Sequence, residues 1–247
     1  MAAMHPVPPS DRSYRRIGGI GDLTAFQVVV RETDLHIQAD RDLSAQCREA
    51  VIQQRAYLEA FIQTHPAFLT TRTPWREETP APALVTAMIH ASRRAGVGPM
   101  AAVAGALADR IGRELLTLSD EVVVENGGDI FMAVRRPVTV GIDAGRSPLS
   151  RRIGLHISMG QSPLALCTSS GTVGHSHSYG RADALCVVAP QGALADAAAT
   201  ALANRVKCPG DLKAAIESAR AIEGLIGVLG ICQDQMGAWG DVEIVPL

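Results

Sequence analysis

Two segments of the chain combine hydroxyls, carboxylates and glycines at the end of an apolar run. The first reads Glu-Asn-Gly-Gly-Asp from Glu125 to Asp129 and follows three valines. The second reads Thr-Ser-Ser-Gly-Thr from Thr168 to Thr172 and follows Leu-Ala-Leu-Cys. Hydroxyls and backbone N–H groups can donate hydrogen bonds to carbonyl or phosphate oxygens of a ligand. Glu125 or Asp129 could act as an acid, a base or a metal ligand. The sequence therefore predicts a binding or catalytic site that includes both segments.

A pair of potential metal ligands lies in the alanine-rich run Ala195-Asp-Ala-Ala-Ala-Thr-Ala201. Asp196 and Thr200 are four residues apart, so their side chains share one face if the run is helical. Such oxygen ligands suit Mg²⁺, which takes one or two protein carboxylates and completes its shell with water or phosphate. The alternative is an acid near a helix start and a threonine packed among alanines. Spacing alone favours this alternative.

His175 and His177 form an H-x-H pair in a stretch rich in glycine and serine. Together with Asp183 they could bind Zn²⁺ or another transition metal. Alternatively, His175 could hydrogen-bond a ligand, act as a general base, or activate Ser169 or Ser170 as a nucleophile. Two histidines are few for a metal site, so a polar, ligand-facing role is favoured.

Composition excludes several classes of protein. The 247 residues are 47% hydrophobic and 19% charged, with a formal net charge of −2, so the chain carries no basic footprint for nucleic acid. The longest mostly apolar stretch, residues 95–108, is shorter than the roughly 20 residues that a membrane span needs. The five cysteines form no C-x-x-C motif, and the N-terminus has no apolar signal-like region. We therefore expect a cytoplasmic protein.

Apolar periodicity predicts an α+β fold with a similar order of elements in each half. Residues 1–24 form a predicted N-terminal arm, and residues 25–247 a single domain of two pseudo-repeats, about 25–136 and 137–247. The predicted strands cover residues 26–30, 35–38, 121–125, 130–134, 138–142, 153–158, 164–169, 184–188, 225–232 and 239–245. The predicted helices cover residues 43–62, 83–95, 99–118, 192–206 and 211–223.

Glycine and other small residues mark two further features. Asn126-Gly127 is a strong signal for a hairpin turn between the strands at 121–125 and 130–134. The next residue, Gly128, exceeds what a two-residue turn needs and leaves room for a ligand close to the backbone. The predicted helix over 99–118 is crowded with alanine and glycine, so we expect another helix or a sheet to approach it closely.

Taken together, these motifs resemble the ApbE-like superfamily, whose best-understood members are Mg²⁺-dependent FAD:protein FMN transferases. The superfamily signature A-D-A-L-A-T-A is similar to residues 195–201, its glycine pair to Gly127-Gly128, and its S-T-S-G-like loop to residues 168–171, in the same order. More closely, the runs over residues 32–35, 97–105, 125–129, 170–176 and 237–240 are similar to a cytoplasmic branch of that superfamily, and this resemblance spans about residues 26–245. The resemblance implies a tandem T-fold-like ββααββ duplication with antiparallel sheets and helices packed on one face.

Carried over residue by residue, the resemblance implies that Asp196 and Thr200 are the Mg²⁺ ligands. It places the flavin nucleotide along the glycine pair and the serine loop, and the predicted ligand-binding residues are Gly127, Gly128, Thr168, Ser169, Ser170, Gly171 and Thr172. The predicted catalytic residues are Asp129, His175 and Asp183. Where the transferases carry an H-x-I-x-[DN]-P-x-T-G-like segment, this chain reads Gly-His-Ser-His-Ser-Tyr-Gly-Arg-Ala-Asp over residues 174–183.

Because of this departure, three hypotheses stay open. The first is Mg²⁺-dependent cleavage of FAD, or transfer of FMN to an acceptor protein. The second is a flavin-independent enzyme that acts on a small heterocycle or carboxylate through His175 and an acid. The third is a non-catalytic binding or assembly protein whose sheets associate into a homo-oligomer.

Overall fold

The computed structural model describes residues 21–158, 160–172 and 180–247. The strands are β1 (Thr24–Val30), β2 (Thr33–Ala39), β3 (Val122–Asn126), β4 (Asp129–Ala133), β5 (Val138–Gly141), β6 (Ile153–Ile157), β7 (Leu164–Ser169), β8 (Ala184–Ala189), β9 (Gly227–Cys232), β10 (Gln235–Gly240) and β11 (Glu243–Pro246). The α-helices are α1 (Ser44–Thr64), α2 (Ala67–Thr70), α3 (Ala83–Ala95), α4 (Val103–Leu115), α5 (Gly192–Ala203) and α6 (Leu212–Ser218). Most of the predicted arm, and both His175 and His177, lie outside the described residues.

Eight strands form one sheet in the order β1-β2-β3-β4-β7-β8-β9-β10, and all neighbouring strands are antiparallel. On each side of the β4–β7 pair the chain runs through a strand pair, helices and a second strand pair. The predicted α+β class is therefore confirmed. The T-fold-like duplication and its two pseudo-repeats stay predictions.

A second sheet, in the order β11-β6-β5, packs on the side of the main sheet that the helices leave open. Side chains alternate between the two faces, so Phe131 belongs to the core beneath the helices and Met132 to the core beneath the small sheet. All six residues of β8 are buried, because this strand is covered on both faces. Its uninterrupted apolar sequence, Ala-Leu-Cys-Val-Val-Ala, is what such a position requires.

The chain changes sheets at Gly240, so the single predicted strand over 239–245 is two strands, β10 and β11. Gly240 has a φ of +89°, and a Cβ there would overlap the carbonyl oxygen of Ile226. Residues 235–238, which lie outside the two predicted strands 225–232 and 239–245, belong to β10, and the hairpin turns at Gln233 and Asp234. Within the described part of the chain, the helices are too short or too polar to cross a membrane.

Candidate functional site

Asp129 and Asp196 meet at one end of the main sheet, beside the junction of α4 and α5. In β4, Asp129 lies across from Cys167 of β7, whose thiol donates a hydrogen bond of 3.6 Å to the carbonyl oxygen of Gly192 at the start of α5. A Cβ on Gly105 of α4 would stand 2.7 Å from the Cβ of Asp196 and 2.9 Å from the Sγ of Cys167. The fold therefore brings a predicted catalytic residue and a predicted metal ligand into one cluster.

The pKa values of both carboxyl groups are raised. Burial, together with the nearby charges of Asp196 and Glu125, raises the pKa of Asp129 well above its usual value. Burial also raises the pKa of Asp196 to about 7, although hydrogen bonds from the N–H groups of Gly105 and Ala104 act in the opposite direction. Neither carboxyl group forms an ion pair with a described residue. Adjacent acids in this state are typical of functional sites, and a bound cation would stabilise their charged forms.

Asp196 also caps a neighbouring helix. Its Oδ2 accepts a hydrogen bond of 2.9 Å from the N–H of Gly105, in the first turn of α4. In return, Oδ2 of Asp109 in α4 accepts a hydrogen bond of 2.9 Å from the N–H of Gly192, the first residue of α5. First-turn N–H groups have no partner within their own helix, and no side chain of the flanking residues caps either helix. The two helices therefore cap each other.

This reciprocal capping depends on glycine at the point where the helices cross. A Cβ on Gly105 would overlap the carbonyl oxygen of Gly192, and a Cβ on Gly192 would overlap that of Gly105. The small residues of the predicted helix over 99–118 thus serve the close approach of α5. Sequence reasoning missed the specific roles of Gly105, Asp109 and Cys167; only the small-residue composition around Gly105 pointed to a close contact.

Asp196 and Thr200 are partly buried and lie on the one face of α5 that keeps some access to solvent, since every other residue of this helix is fully buried. Among the described residues, no group of three or more His, Cys, Asp or Glu side chains could hold a metal ion. A cation bound here would be coordinated by side-chain oxygens of Asp129, Asp196 and Thr200, together with oxygens of water or of the ligand. This hard-oxygen donor set fits Mg²⁺, which needs few protein carboxylates.

The turn between β3 and β4 lies beside this cluster and is displaced by one residue from its predicted position. Asn126 pairs with Asp129, so the turn residues are Gly127 and Gly128. The Asn126 side chain instead donates a hydrogen bond of 3.1 Å to the carbonyl oxygen of Ala104, at the start of α4. Gly127 has a φ of +69°, which favours glycine. A Cβ on Gly128 would stand 2.8 Å from the carbonyl oxygen of Thr168, so the second glycine admits the neighbouring strand.

The two hydroxyl residues at the end of β7 point to opposite faces of the sheet. Ser169 is buried and lies on the same face as Cys167, towards the helices. Thr168 lies on the other face, where it is the cross-strand partner of Cys186 in β8. Of these two predicted ligand residues, only Ser169 shares the face of Asp129.

Beyond β7, the chain is held by hydrogen bonds to the two residues that precede β8. The N–H of Gly171 donates to the carbonyl oxygen of Ala182 at 2.9 Å, and the hydroxyl of Thr172 donates to Asp183 at 2.9 Å. The structure therefore places Asp183 beside the serine loop. No described contact joins it to Asp129 or Asp196. The roles predicted for His175 stay predictions.

Comparison with known proteins agrees with this architecture. A family model described as "AbpE bacteria" matches residues 18–225. A UPF0280 protein of Methanocella arvoryzae is 40% identical over 212 residues, which are 85% of this chain and 86% of that protein.

Two solved structures share the fold at low sequence identity. The apo form of the flavinyl transferase ApbE of Pseudomonas stutzeri is 14% identical with a TM-score of 0.56, covering 91% of this chain and 94% of that one. A mutant flavin transferase ApbE of Vibrio cholerae is 12% identical with a TM-score of 0.57, covering 89% and 97%. The chain therefore belongs to the family described as AbpE bacteria, is related to the UPF0280 proteins and has the fold of the ApbE flavin transferases.

Proposed function

We propose that this protein is a Mg²⁺-dependent enzyme that cleaves the pyrophosphate of FAD or transfers its FMN part. The observation that carries the proposal is the placing of two acids, Asp129 and Asp196, around the same crossing of α4 and α5, where neither acid forms an ion pair with a described residue. They lie beside a glycine turn and a hydroxyl-rich loop, both of which a nucleotide could contact. The names of the flavin transferases that share the fold support the choice of a flavin substrate.

Each part of the site has a role in this proposal. Asp196 and Thr200, joined by Asp129, would hold Mg²⁺, which would neutralise the charge that develops on a pyrophosphate during cleavage. The backbone of Gly127 and Gly128 and the hydroxyl of Ser169 would contact the nucleotide. His175 is the predicted group for proton transfer.

Release of AMP from FAD by the purified protein in the presence of Mg²⁺ tests the proposal. We expect Asp196→Asn to lower the rate by about 100-fold or more, because an amide binds Mg²⁺ far more weakly than a carboxylate. Asparagine still accepts hydrogen bonds from a first-turn N–H, so the variant keeps the cap on α4.

Asp109→Asn is the control, because it makes the same substitution in the opposite cap of the same helix pair, although it also removes the ion pair of Asp109 with Arg113. We expect this variant to remain within about threefold of the wild-type rate, since capping is preserved. Equal losses in the two variants would mean that both acids act only through helix packing. Absence of AMP release from the wild type with Mg²⁺ would contradict FAD cleavage and leave the flavin-independent and non-catalytic hypotheses.

We also propose an acceptor protein, a homo-oligomeric state and a cytoplasmic location. FMN transfer requires an acceptor protein, so AMP release that rises when a candidate acceptor is added would identify one. In the described part of the chain, β1 and β10 end the main sheet, and their edges are where a homo-oligomer would form. Sedimentation of the purified protein tests this association, and cell fractionation tests the predicted cytoplasmic location.

A further inference from the structure

A single carboxylate, that of Asp183 just before β8, is bonded to two other segments of the chain. The residue is 7% exposed. Its Oδ1 accepts a hydrogen bond of 2.9 Å from the hydroxyl of Thr172, and its Oδ2 accepts one of 2.6 Å from the N–H of Gln233. Its own N–H donates to the carbonyl oxygen of Ile231 at 2.9 Å. Both carboxylate oxygens thus serve as acceptors for groups of the protein.

The first segment that Asp183 holds is the turn between β9 and β10. Gln233 has a φ of +58°, in the left-handed region that side chains other than glycine rarely adopt. The hydroxyl of Ser147 donates a hydrogen bond of 2.5 Å to the carbonyl oxygen of Gln233, while Asp183 accepts from its N–H. These two bonds hold both the backbone N–H and the backbone carbonyl of Gln233. The turn is therefore a rigid support for the Asp183 carboxylate.

The second segment is the serine loop. The N–H of Thr172 donates to the hydroxyl oxygen of Ser170 at 3.1 Å, while the Thr172 hydroxyl is directed to Asp183. A Cβ on Gly171 would overlap the carbonyl oxygen of Gly180, so the chain before residue 173 and the chain after residue 179 touch at this point. The hydrogen bonds of Thr172 therefore connect the Ser170 hydroxyl to Asp183 and through it to Gln233.

We propose that Asp183 is a positioning residue, which holds the loop of residues 169–172 in the conformation that receives the ligand's phosphates. The role in ligand binding rests on the function proposed above; the role in holding the loop does not. An acid or base must reach the ligand, whereas both oxygens of Asp183 are directed to Thr172 and Gln233. Loss of this residue should therefore weaken ligand binding and leave the chemical step in place.

The experiment combines amide hydrogen exchange of residues 169–172 with FAD cleavage kinetics on the full chain. We expect Asp183→Asn and Thr172→Val to speed exchange in this loop by roughly 10-fold or more, because a hydrogen bond to a charged group contributes that much to local stability. Thr172→Ser keeps the hydroxyl and should restore the wild-type exchange rate. In the kinetics, KM for FAD should rise by a similar factor while kcat stays within about threefold.

Asp40→Asn is the control for Asp183→Asn. Asp40 also accepts a hydrogen bond of 2.6 Å from a backbone N–H, that of Asp120, but it is exposed, directly follows β2 and has no described contact with the loop. This variant should leave loop exchange and KM unchanged. Thr172→Val removes one hydroxyl only, so it supplies the decisive result if Asp183→Asn does not fold.

The outcomes separate this inference from the proposed function. Unchanged loop exchange in Thr172→Val, or a serine variant that exchanges as fast as the valine variant, would overturn the positioning role. A large fall in kcat at unchanged KM and unchanged exchange would overturn it too, and make Asp183 an acid or base. If the wild type releases no AMP, the proposed function fails, and the exchange rates alone then decide whether Asp183 holds the loop.

Discussion

The β3–β4 hairpin carries acids at both of its ends, and their surroundings are opposite in kind. At the open end, Glu121 accepts hydrogen bonds of 2.7 Å from the guanidinium of Arg136 and from the N–H of Arg135, and these bonds lower its pKa. At the turn end, the pKa of Asp129 is raised by burial and by the charge of Asp196. Both acids are largely buried, so burial alone does not distinguish a structural acid from a candidate functional one. The distinction lies in the partner that the fold supplies.

The largest expected effect on the free energy of unfolding comes from a steric clash near the turn end, at the crossing of α4 and α5. Gly105→Ala should lower the free energy of unfolding by about 3 kcal/mol, because its Cβ would overlap a backbone carbonyl that cannot move aside without separating α4 from α5. Chemical denaturation measures the loss. Gly96→Ala is the comparison, since Gly96 has a φ of +74° but open space around its Cβ position, and should cost only about 1 kcal/mol. Equal losses would show that the crossing tolerates a methyl group.

A smaller effect, about 2 kcal/mol after allowance for solvent screening, is expected from pH. The folded pKa values of Asp129 and Asp196 lie above their unfolded values, so the folded state binds more protons and the two acids favour folding at low pH. This contribution is lost as pH rises from about 4 through about 7. Denaturation of the metal-free protein between pH 5 and 8 should show the loss, and Asp196→Asn should reduce it.

Repeating the denaturation experiment with Mg²⁺ tests the same two acids, because a bound cation stabilises the ionised forms of Asp129 and Asp196. At pH 8 it should raise the Tm of the wild type and have little effect on Asp196→Asn. Glu121 follows the opposite course, since its lowered pKa stabilises the folded state above about pH 4.5 and ceases to do so as pH falls through its folded value. A rise in stability between pH 5 and 8 that Asp196→Asn does not alter would contradict the comparison.

The smallest expected effects are two neutral substitutions of opposite sign. Asp129→Asn should raise the free energy of unfolding at pH 8 by about 1 kcal/mol in the absence of metal, since it removes a charge that nothing described compensates. Glu121→Gln should lower it by about 1 kcal/mol, because Arg136 loses its partner. Paired denaturation curves of the two variants measure the difference. Destabilisation by both would mean that the acids at the two ends serve the same structural purpose.

Local sequence patterns were sufficient to predict most strands and the helix that carries Asp196. They failed where a long-range contact decides the local structure. The turn at residues 127–128 is shifted by one position, because Asn126 is engaged by Ala104. The C-terminal segment, predicted as one strand, contributes to two sheets because the chain leaves the main sheet at Gly240, where its backbone lies against Ile226.

In the candidate site, too, local patterns predicted residues but not the long-range contacts that these residues make. Residue type and position selected Asp129, and the motif resemblance selected Asp196. The hydrogen bond from Gly105 to Asp196, however, joins residues 91 positions apart, and no local pattern indicates it. Asp183 was predicted from its residue type to be catalytic. Its bonds to Thr172 and Gln233 depend on where β8 and the β9–β10 turn come together, and this supports the positioning role proposed above.

Reciprocal capping by Asp109 and Asp196 has a consequence for folding. Helix α4 belongs to the first half of the main sheet and α5 to the second, and each helix receives its N-terminal hydrogen-bond acceptor from the other. A fragment cut between β4 and β7 would expose polar groups at one helix end and the apolar crossing surface along its side. The two halves are therefore expected to unfold in one cooperative transition, and neither should be stable when expressed by itself.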